Sequence, residues 1–196
     1  MTVDARAPRL LIVPGLHDSG PAHWQSWLQS HYRHSLRVVQ RDWQAPDLER
    51  WSARIGATLE RAGPGPWIAA AHSFGCLALV HHLARTPDSP LRSLLLVAPA
   101  EPDRFGLAEA LPQTALPRPG LLIGSQNDPW MSAGSARRWA ERWGCQWINL
   151  GDAGHINAEA GFGPLPLARR WVLSMAQRLA REQRPARAGA EWSFAV

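Results

Sequence analysis

The feature that most constrains the fold is an alternation along the chain, in which short apolar runs are separated by stretches of helical periodicity. Such alternation is typical of βαβ units around a parallel sheet, so we predict an α/β protein with helices on both faces of about six strands. The runs predicted as strands are residues 10–13, 36–40, 67–71, 93–98, 121–124 and 146–149.

Helix start signals precede the amphipathic stretches. The segment Ser19-Gly20-Pro21 is expected to open a helix that runs through Trp24 and Leu28, because proline suits a first helical turn. Pro46-Asp47 is expected to open the next helix, whose apolar residues recur every three or four positions. Further helices are predicted at residues 74–84, 133–143 and 166–181.

The length of 196 residues fits one domain, which we predict over residues 1–184, followed by a weakly structured tail at residues 185–196. Residues 99–119 are rich in proline and alanine and leave room for one short helix. We therefore expect no large lid over the carboxyl edge of the sheet.

Residues 67–80 run from an apolar strand through a serine into an apolar helix, which is the layout of a nucleophile elbow. This turn lifts the serine oxygen above the sheet, beside a helix N-terminus that favours developing negative charge. It requires small residues two positions on either side, and Ala71 and Gly75 flank Ser73 in this way, although the usual pattern has glycine at both positions. The pattern predicts Ser73 as the nucleophile; the alternative is a serine that caps the next helix.

A nucleophilic serine needs a base and a group that orients the base. His155 follows the last predicted strand in a glycine-rich loop, where α/β proteins build their sites, and is the predicted base. Asp128 follows the fifth strand and is the predicted orienting acid. Asp152 competes with it but lies only three residues before His155 and would have to fold back on its own loop. His72, next to the serine, is the rival base.

The oxyanion of an acyl-transfer intermediate needs two backbone N–H donors. One is expected from Phe74, directly after the serine, and the other from the loop after the first strand. Within that loop either Leu16 or His17 could supply it, and the sequence does not choose between them.

Four blocks of the sequence carry a resemblance to a known family: residues 13–26 (VPGLHDSGPAHWQS), 71–76 (AHSFGC), 125–130 (SQNDPW) and 154–166 (GHINAEAGFGPLP). With them, most of the chain resembles the retinoblastoma-binding protein 9 or YdeN-like family of small serine hydrolases. The resemblance implies a three-layer α/β-hydrolase fold without a large lid. It also implies a triad of Ser73, Asp128 and His155, with no metal and no organic cofactor.

This interpretation predicts an enzyme that hydrolyses a small carboxylic ester or amide through an acyl-enzyme intermediate. Most of the eleven tryptophans are expected to pack in the core, but Trp130 and Trp24 are candidates to line a pocket for a small, partly apolar acyl group. The alternative function is a catalytically silent module that keeps the fold and binds another protein. A complete triad favours the enzyme, because a binding module needs no base or acid at those positions.

The composition and the remaining motifs argue against a nucleic acid, a membrane surface or a nucleotide as partner. All 21 cationic residues are arginines scattered along the chain, so the formal charge of +5 predicts neither a nucleic-acid site nor a membrane-surface site. Residues 14–20 lack the glycine patterns of phosphate-binding loops.

Cys76 and Cys145 have no metal-type spacing and predict no disulfide framework, and the first apolar run is too short for a signal peptide. A reducing cytoplasm is therefore the expected location.

Overall fold

The computed structural model describes residues 7–183, in which six strands form one parallel sheet in the order β2-β1-β3-β4-β5-β6. The predicted fold class is confirmed. The strands are β1 (Arg9–Val13), β2 (Ser35–Arg37), β3 (Trp67–Ser73), β4 (Leu91–Pro99), β5 (Gly120–Gly124) and β6 (Gln146–Asn149). The predicted tail lies outside the described residues.

Strand β2 differs from its predicted span of residues 36–40. It lies at the edge of the sheet and pairs with β1 alone, in a register that joins Ile12 to Arg37. Strand β1 ends one residue later, at Val13, and proline follows it. Because proline has no N–H to offer the ladder, pairing stops there and the apolar Val39 is left 59% exposed.

The described residues form five α-helices, of which the first four lie between strands and the last follows β6: α1 (Trp24–Ser30), α2 (Leu48–Ala62), α3 (Phe74–Arg85), α4 (Ala133–Arg142) and α5 (Pro166–Glu182). Helix α2 begins where predicted, because the carboxylate of Asp47 accepts the N–H of Arg50 at 3.0 Å. The predicted start of α1 at residues 19–21 is wrong. Its N-cap is His23, whose Nδ1 accepts the N–H of Gln25 at 3.1 Å, so residues 19–21 stay in the preceding loop.

Two apolar layers sandwich the sheet. Successive residues of a strand face opposite sides, so Leu10 and Ile12 pack with α1 and α5, while Leu11 and Val13 pack with α2, α3 and α4. This gives the three-layer arrangement expected from the sequence. None of the helices within residues 7–183 is long and apolar enough to cross a membrane.

The strand order reverses direction between β1 and β3, because the chain moves from β1 outward to β2 and then returns to the other side of β1. A crevice forms outside the carboxyl ends of the strands at such a switch point. Residues 100–119, which connect β4 to β5, contain only two short 3-10 turns, Pro102–Phe105 and Ala108–Ala110. No large lid covers the crevice from this connection.

Candidate active site

Ser73 occupies a sharp turn at the switch point. It is the last residue of β3, α3 begins at the next residue, and its φ of 53° lies in a region that non-glycine residues rarely adopt. Its hydroxyl makes no hydrogen bond that caps α3, so the capping alternative is wrong. The backbone strain at this position is typical of a serine held out from the sheet for chemistry.

Two glycines allow the loop after β1 to pack against this turn. A Cβ added at Gly75 would overlap the carbonyl oxygens of Val13 and Pro14, and one added at Gly15 would lie 2.7 Å from the Cβ of Ser73. Real Cβ atoms do not approach so closely. The small residues are therefore required by the approach of β1 and its loop to the start of α3.

The structure brings the three predicted triad side chains together from three loops. The Nε2 of His155 lies 2.9 Å from the Oγ of Ser73, and its Nδ1 lies 3.0 Å from each carboxylate oxygen of Asp128. A carboxylate only accepts hydrogen bonds, so Nδ1 carries the proton and Nε2 is free to accept from the serine. This is the arrangement of a nucleophile, a base and a group that fixes the base.

The carboxylate of Asp128 is buried and accepts hydrogen bonds from two residues. Its side chain is 2% exposed, and besides His155 it accepts the backbone N–H of Trp130 at 2.8 Å. Asp152, the competing acid, is exposed, and no hydrogen bond joins it to His155 among residues 7–183.

The loop that carries Asp128 is hydrogen-bonded to the loop that carries His155, which the sequence did not predict. The side-chain oxygen of Asn127 accepts the N–H of Gly154 at 2.7 Å, and Ser125 Oγ donates to the carbonyl of Gly154 at 2.6 Å. The N–H of Gln126 donates to the carbonyl of Gly151 at 2.7 Å. Both side chains lie in the block of residues 125–130, but no sequence pattern pairs them with a loop nearly 30 residues away.

Two donors were expected for an oxyanion, one from Phe74 and one from either Leu16 or His17, and the structure rules out His17. Its N–H donates to the carbonyl of Trp43 at 2.9 Å and is not available to a substrate. No acceptor within residues 7–183 takes the N–H of Leu16, and the N–H of Phe74 is unpaired in the same sense because it begins α3. The N–H groups of Leu16 and Phe74 are thus both free to donate to a substrate.

The cleft beside Ser73 has a volume of about 390 Å³. Leu16, Phe105 and Trp130 supply its apolar wall, and Trp130 is 44% exposed with the guanidinium of Arg104 lying 5.6 Å from its ring. Trp24 does not line the cleft, contrary to expectation. It is fully buried between α1 and the sheet, because its position on α1 faces the core.

His72 is not placed to act as the base. Its Nε2 lies 2.9 Å from the backbone carbonyl oxygen of His155 rather than beside the serine hydroxyl. Burial, reinforced by the neighbouring His155 and His23, holds the pKa of His72 well below its ordinary value. Burial likewise lowers the pKa of His23 to about 4. Both imidazoles are therefore neutral at neutral pH.

A pocket of about 820 Å³ between α2 and α3, larger than the cleft beside Ser73, is lined by another serine–histidine pair. There the Nε2 of His82 lies 3.3 Å from the Oγ of Ser89, but both side chains are buried and no carboxylate bonds to His82 among the described residues. This pair lacks the third group of a triad. Across residues 7–183, no group of three or more His, Cys, Asp and Glu side chains is placed to hold a metal ion.

A parallel sheet with a strained serine turn after β3, an acid loop after β5 and a histidine loop after β6 defines an α/β hydrolase. The chain belongs to the serine hydrolase family, whose profile matches residues 10–175, and the predicted enzyme class is confirmed.

Solved structures agree with this assignment. A protein described as a YdeN-like hydrolase from Pectobacterium atrosepticum is 38% identical, with a TM-score of 0.83 over 88% of this chain and 92% of that one, which confirms the resemblance to YdeN-like hydrolases. The ydeN gene product of B. subtilis is 20% identical, with a TM-score of 0.70 over 87% and 99% of the two chains. Carboxylesterase CesB from Bacillus subtilis is 14% identical, with a TM-score of 0.61 over 86% and 83%, and these two share the fold. No curated protein matches the chain.

Proposed function

We propose that this serine hydrolase cleaves a small carboxylic ester or amide through an acyl-enzyme intermediate, with Ser73 as nucleophile, His155 as general base and acid, and Asp128 as the orienting acid. The observation that carries the proposal is the continuous hydrogen-bonded path from the hydroxyl of Ser73 through both ring nitrogens of His155 to Asp128.

In the first half-reaction, the Nε2 of His155 takes the proton of Ser73 as Oγ attacks the acyl carbon. The electrons of the carbonyl bond move to its oxygen, and this oxyanion accepts hydrogen bonds from the N–H groups of Phe74 and Leu16. When the intermediate collapses, the bond to the leaving group breaks and His155 returns the proton to that group. Asp128 stabilises the imidazolium throughout.

In the second half-reaction, water takes the place of the leaving group. His155 removes a proton from the water as its oxygen attacks the acyl carbon, and a second oxyanion forms in the same place. Collapse expels Oγ of Ser73, which regains its proton from His155, and the carboxylic acid leaves. Atoms and charges balance without a cofactor.

The dimensions of the cleft favour a short acyl group. The cleft of about 390 Å³ is open to solvent, and besides Leu16, Phe105 and Trp130 most of its larger lining side chains are polar, which suits a small, partly apolar group rather than a long alkyl chain. Acetyl and butyryl esters are therefore the expected model substrates.

The test is labelling by a fluorophosphonate probe, with the modified peptide identified by mass spectrometry. Wild type should be modified at Ser73 alone, and Ser73→Ala and His155→Ala should lose labelling, since loss of a triad member removes roughly four to six orders of magnitude in rate. Ser89→Ala is the matched control, because it removes a buried serine that lies 3.3 Å from the Nε2 of another histidine, His82, and it should label normally. A folded wild type that does not react would overturn the proposal and favour the silent binding module.

A further inference from the structure

The histidine loop contains a second backbone outlier directly after the base. Ile156 has a φ of 47°, a region in which a β-branched residue is strained. Its side chain is fully buried. A strained residue next to His155 needs surrounding contacts that hold the peptide between them, because the loop would otherwise relax and move the imidazole.

His72 supplies such a contact. Its Nε2 lies 2.9 Å from the carbonyl oxygen of His155, which is the oxygen of the peptide that joins His155 to Ile156. A carbonyl oxygen only accepts, so Nε2 carries the hydrogen and donates. The bond fixes the plane of the peptide whose rotation would relieve the strain at Ile156.

The next residue of the same strand binds the other end of His155. Ser73 Oγ lies 2.9 Å from the Nε2 of the imidazole, so two consecutive residues of β3 contact His155 at its backbone and at its ring. The ring of His72 is itself fixed, with the His155 ring centroid at 4.8 Å on one side and the His23 ring edge-on at 4.7 Å. The donor therefore has little freedom to move away.

We propose that His72 is a positioning residue that sets the place of the base by donating a hydrogen bond from Nε2 to the backbone carbonyl of His155. This inference rests on the proposed function, since it concerns the same base, and it adds a residue outside the triad. His72 lies along the cleft beside Ser73, but the hydrogen bond of its Nε2 goes to the carbonyl of His155, so it acts through the base.

The charge of His72 fits this role. The neighbouring imidazole of His155 becomes positive when it takes the serine proton, and a second positive ring at 4.8 Å would oppose that step. Burial and the two adjacent histidines hold the pKa of His72 well below the ordinary value, so it stays neutral while still donating from Nε2. Among charged groups, Arg37 and Asp18 act on the pKa of His23, and Asp128 bonds to His155.

The experiment compares His72→Met, which fills similar space without a donor, with His72→Gln, whose side-chain amide nitrogen can reach the position of Nε2. On a butyryl ester, His72→Met should lower kcat by about 10- to 100-fold, with KM nearly unchanged, because the base is displaced while the apolar wall of Leu16, Phe105 and Trp130 is unaltered. His72→Gln should recover most of that loss. His82→Met is the matched control, being an equally buried histidine remote from Ser73, and it should keep the wild-type kcat per folded molecule.

A second measurement does not depend on activity. Amide hydrogen exchange of peptides covering residues 150–162 should quicken in His72→Met, return towards wild type in His72→Gln, and stay unchanged in His82→Met. Equal kcat and equal exchange in wild type and His72→Met would overturn the inference. A loss in His72→Met that His72→Gln does not recover would also overturn it, since general destabilisation rather than the hydrogen bond would be the cause. A wild type inert to fluorophosphonate would instead refute the proposed function.

Discussion

At the scale of single residues, the site depends on atoms that are fixed from two sides. The imidazole of His155 is bound at one nitrogen by Asp128 and at the other by Ser73, so its tautomer and its orientation are set together. Ser73 is in turn held by a strained backbone and by the glycine that packs against its Cβ. Substitutions that keep size but alter one of these contacts should therefore affect the rate far more than the stability.

Asp128→Asn tests the role of the acid. An amide can present its NH₂ group to Nδ1, which would favour the tautomer with the proton on Nε2 and leave no acceptor for the serine proton. We expect kcat on a butyryl ester to fall about 10⁴-fold, as in serine proteases with the same arrangement. Asp152→Asn is the control and should retain the wild-type rate. If the two results were exchanged, Asp152 would be the orienting acid.

Gly15→Ala tests the packing of the loop after β1 on the nucleophile. The added methyl would lie 2.7 Å from the Cβ of Ser73 and 3.0 Å from the carbonyl oxygen of His72, so the turn or the loop must move. A shift of about 1 Å costs roughly 100-fold in rate, and overpacking costs about 1–3 kcal/mol of stability. Gly134→Ala, on helix α4 and outside the cleft lining, brings its methyl no closer than 3.6 Å to the end of the Arg138 side chain, and should neither change the ester kinetics nor lower the melting temperature. Unchanged kinetics in Gly15→Ala would contradict the packing.

At the scale of elements, helices α2 and α3 bury a histidine that should make stability depend on pH. Burial, with a smaller effect of His81, lowers the pKa of His82 to about 4, whereas an unfolded chain has a histidine pKa of about 6.5. Between these values the unfolded state binds more protons than the folded one. His82 therefore has no effect above about pH 7, and destabilises the fold progressively as the pH falls from there towards 4.

The variant His82→Gln removes this penalty. Between pH 8 and pH 5, the free energy of unfolding should fall by about 2 kcal/mol less in the variant than in wild type. Urea unfolding followed by circular dichroism at both pH values gives the change in the free energy of unfolding for the variant and for wild type. An identical pH dependence would mean that His82 is charged or accessible in the folded protein. His23, whose pKa is also lowered to about 4, should keep part of the pH dependence in the variant.

Elements were predictable from the sequence where a local signal defines them. The apolar runs gave β6 its full span, and Asp47 marked the start of α2 because its carboxylate acts three residues away. Helix α1 was placed too early because a histidine rather than serine caps it. The hydrogen bonds from Gly154 to Asn127 and from His72 to His155 join segments that are far apart in the sequence. They become visible only in the folded structure.

At the scale of the whole molecule, the carboxyl edge of the sheet is open as far as residues 7–183 are concerned, in contrast to hydrolases that close a lid over the nucleophile. The connection from β4 to β5 adds only two 3-10 turns near the cleft, and the serine hydroxyl is reached directly from solvent. Where a lid covers the site, the lid must open before substrate can enter, so a condition that opens the lid raises the rate. A cleft that is already open has no such step.

The rate on a butyryl ester should therefore rise hyperbolically with concentration and show no jump where the substrate exceeds its solubility and forms droplets. Octanoyl and longer esters should not be better substrates than butyryl, because the apolar wall consists mainly of Leu16, Phe105 and Trp130, and a longer chain would extend onto polar groups or into solvent. Initial rates across the solubility limit, with and without a neutral detergent above its micelle concentration, make the test. A sharp increase at the limit, or a strong preference for long chains, would mean that part of the molecule closes over the cleft and that the substrate is a lipid.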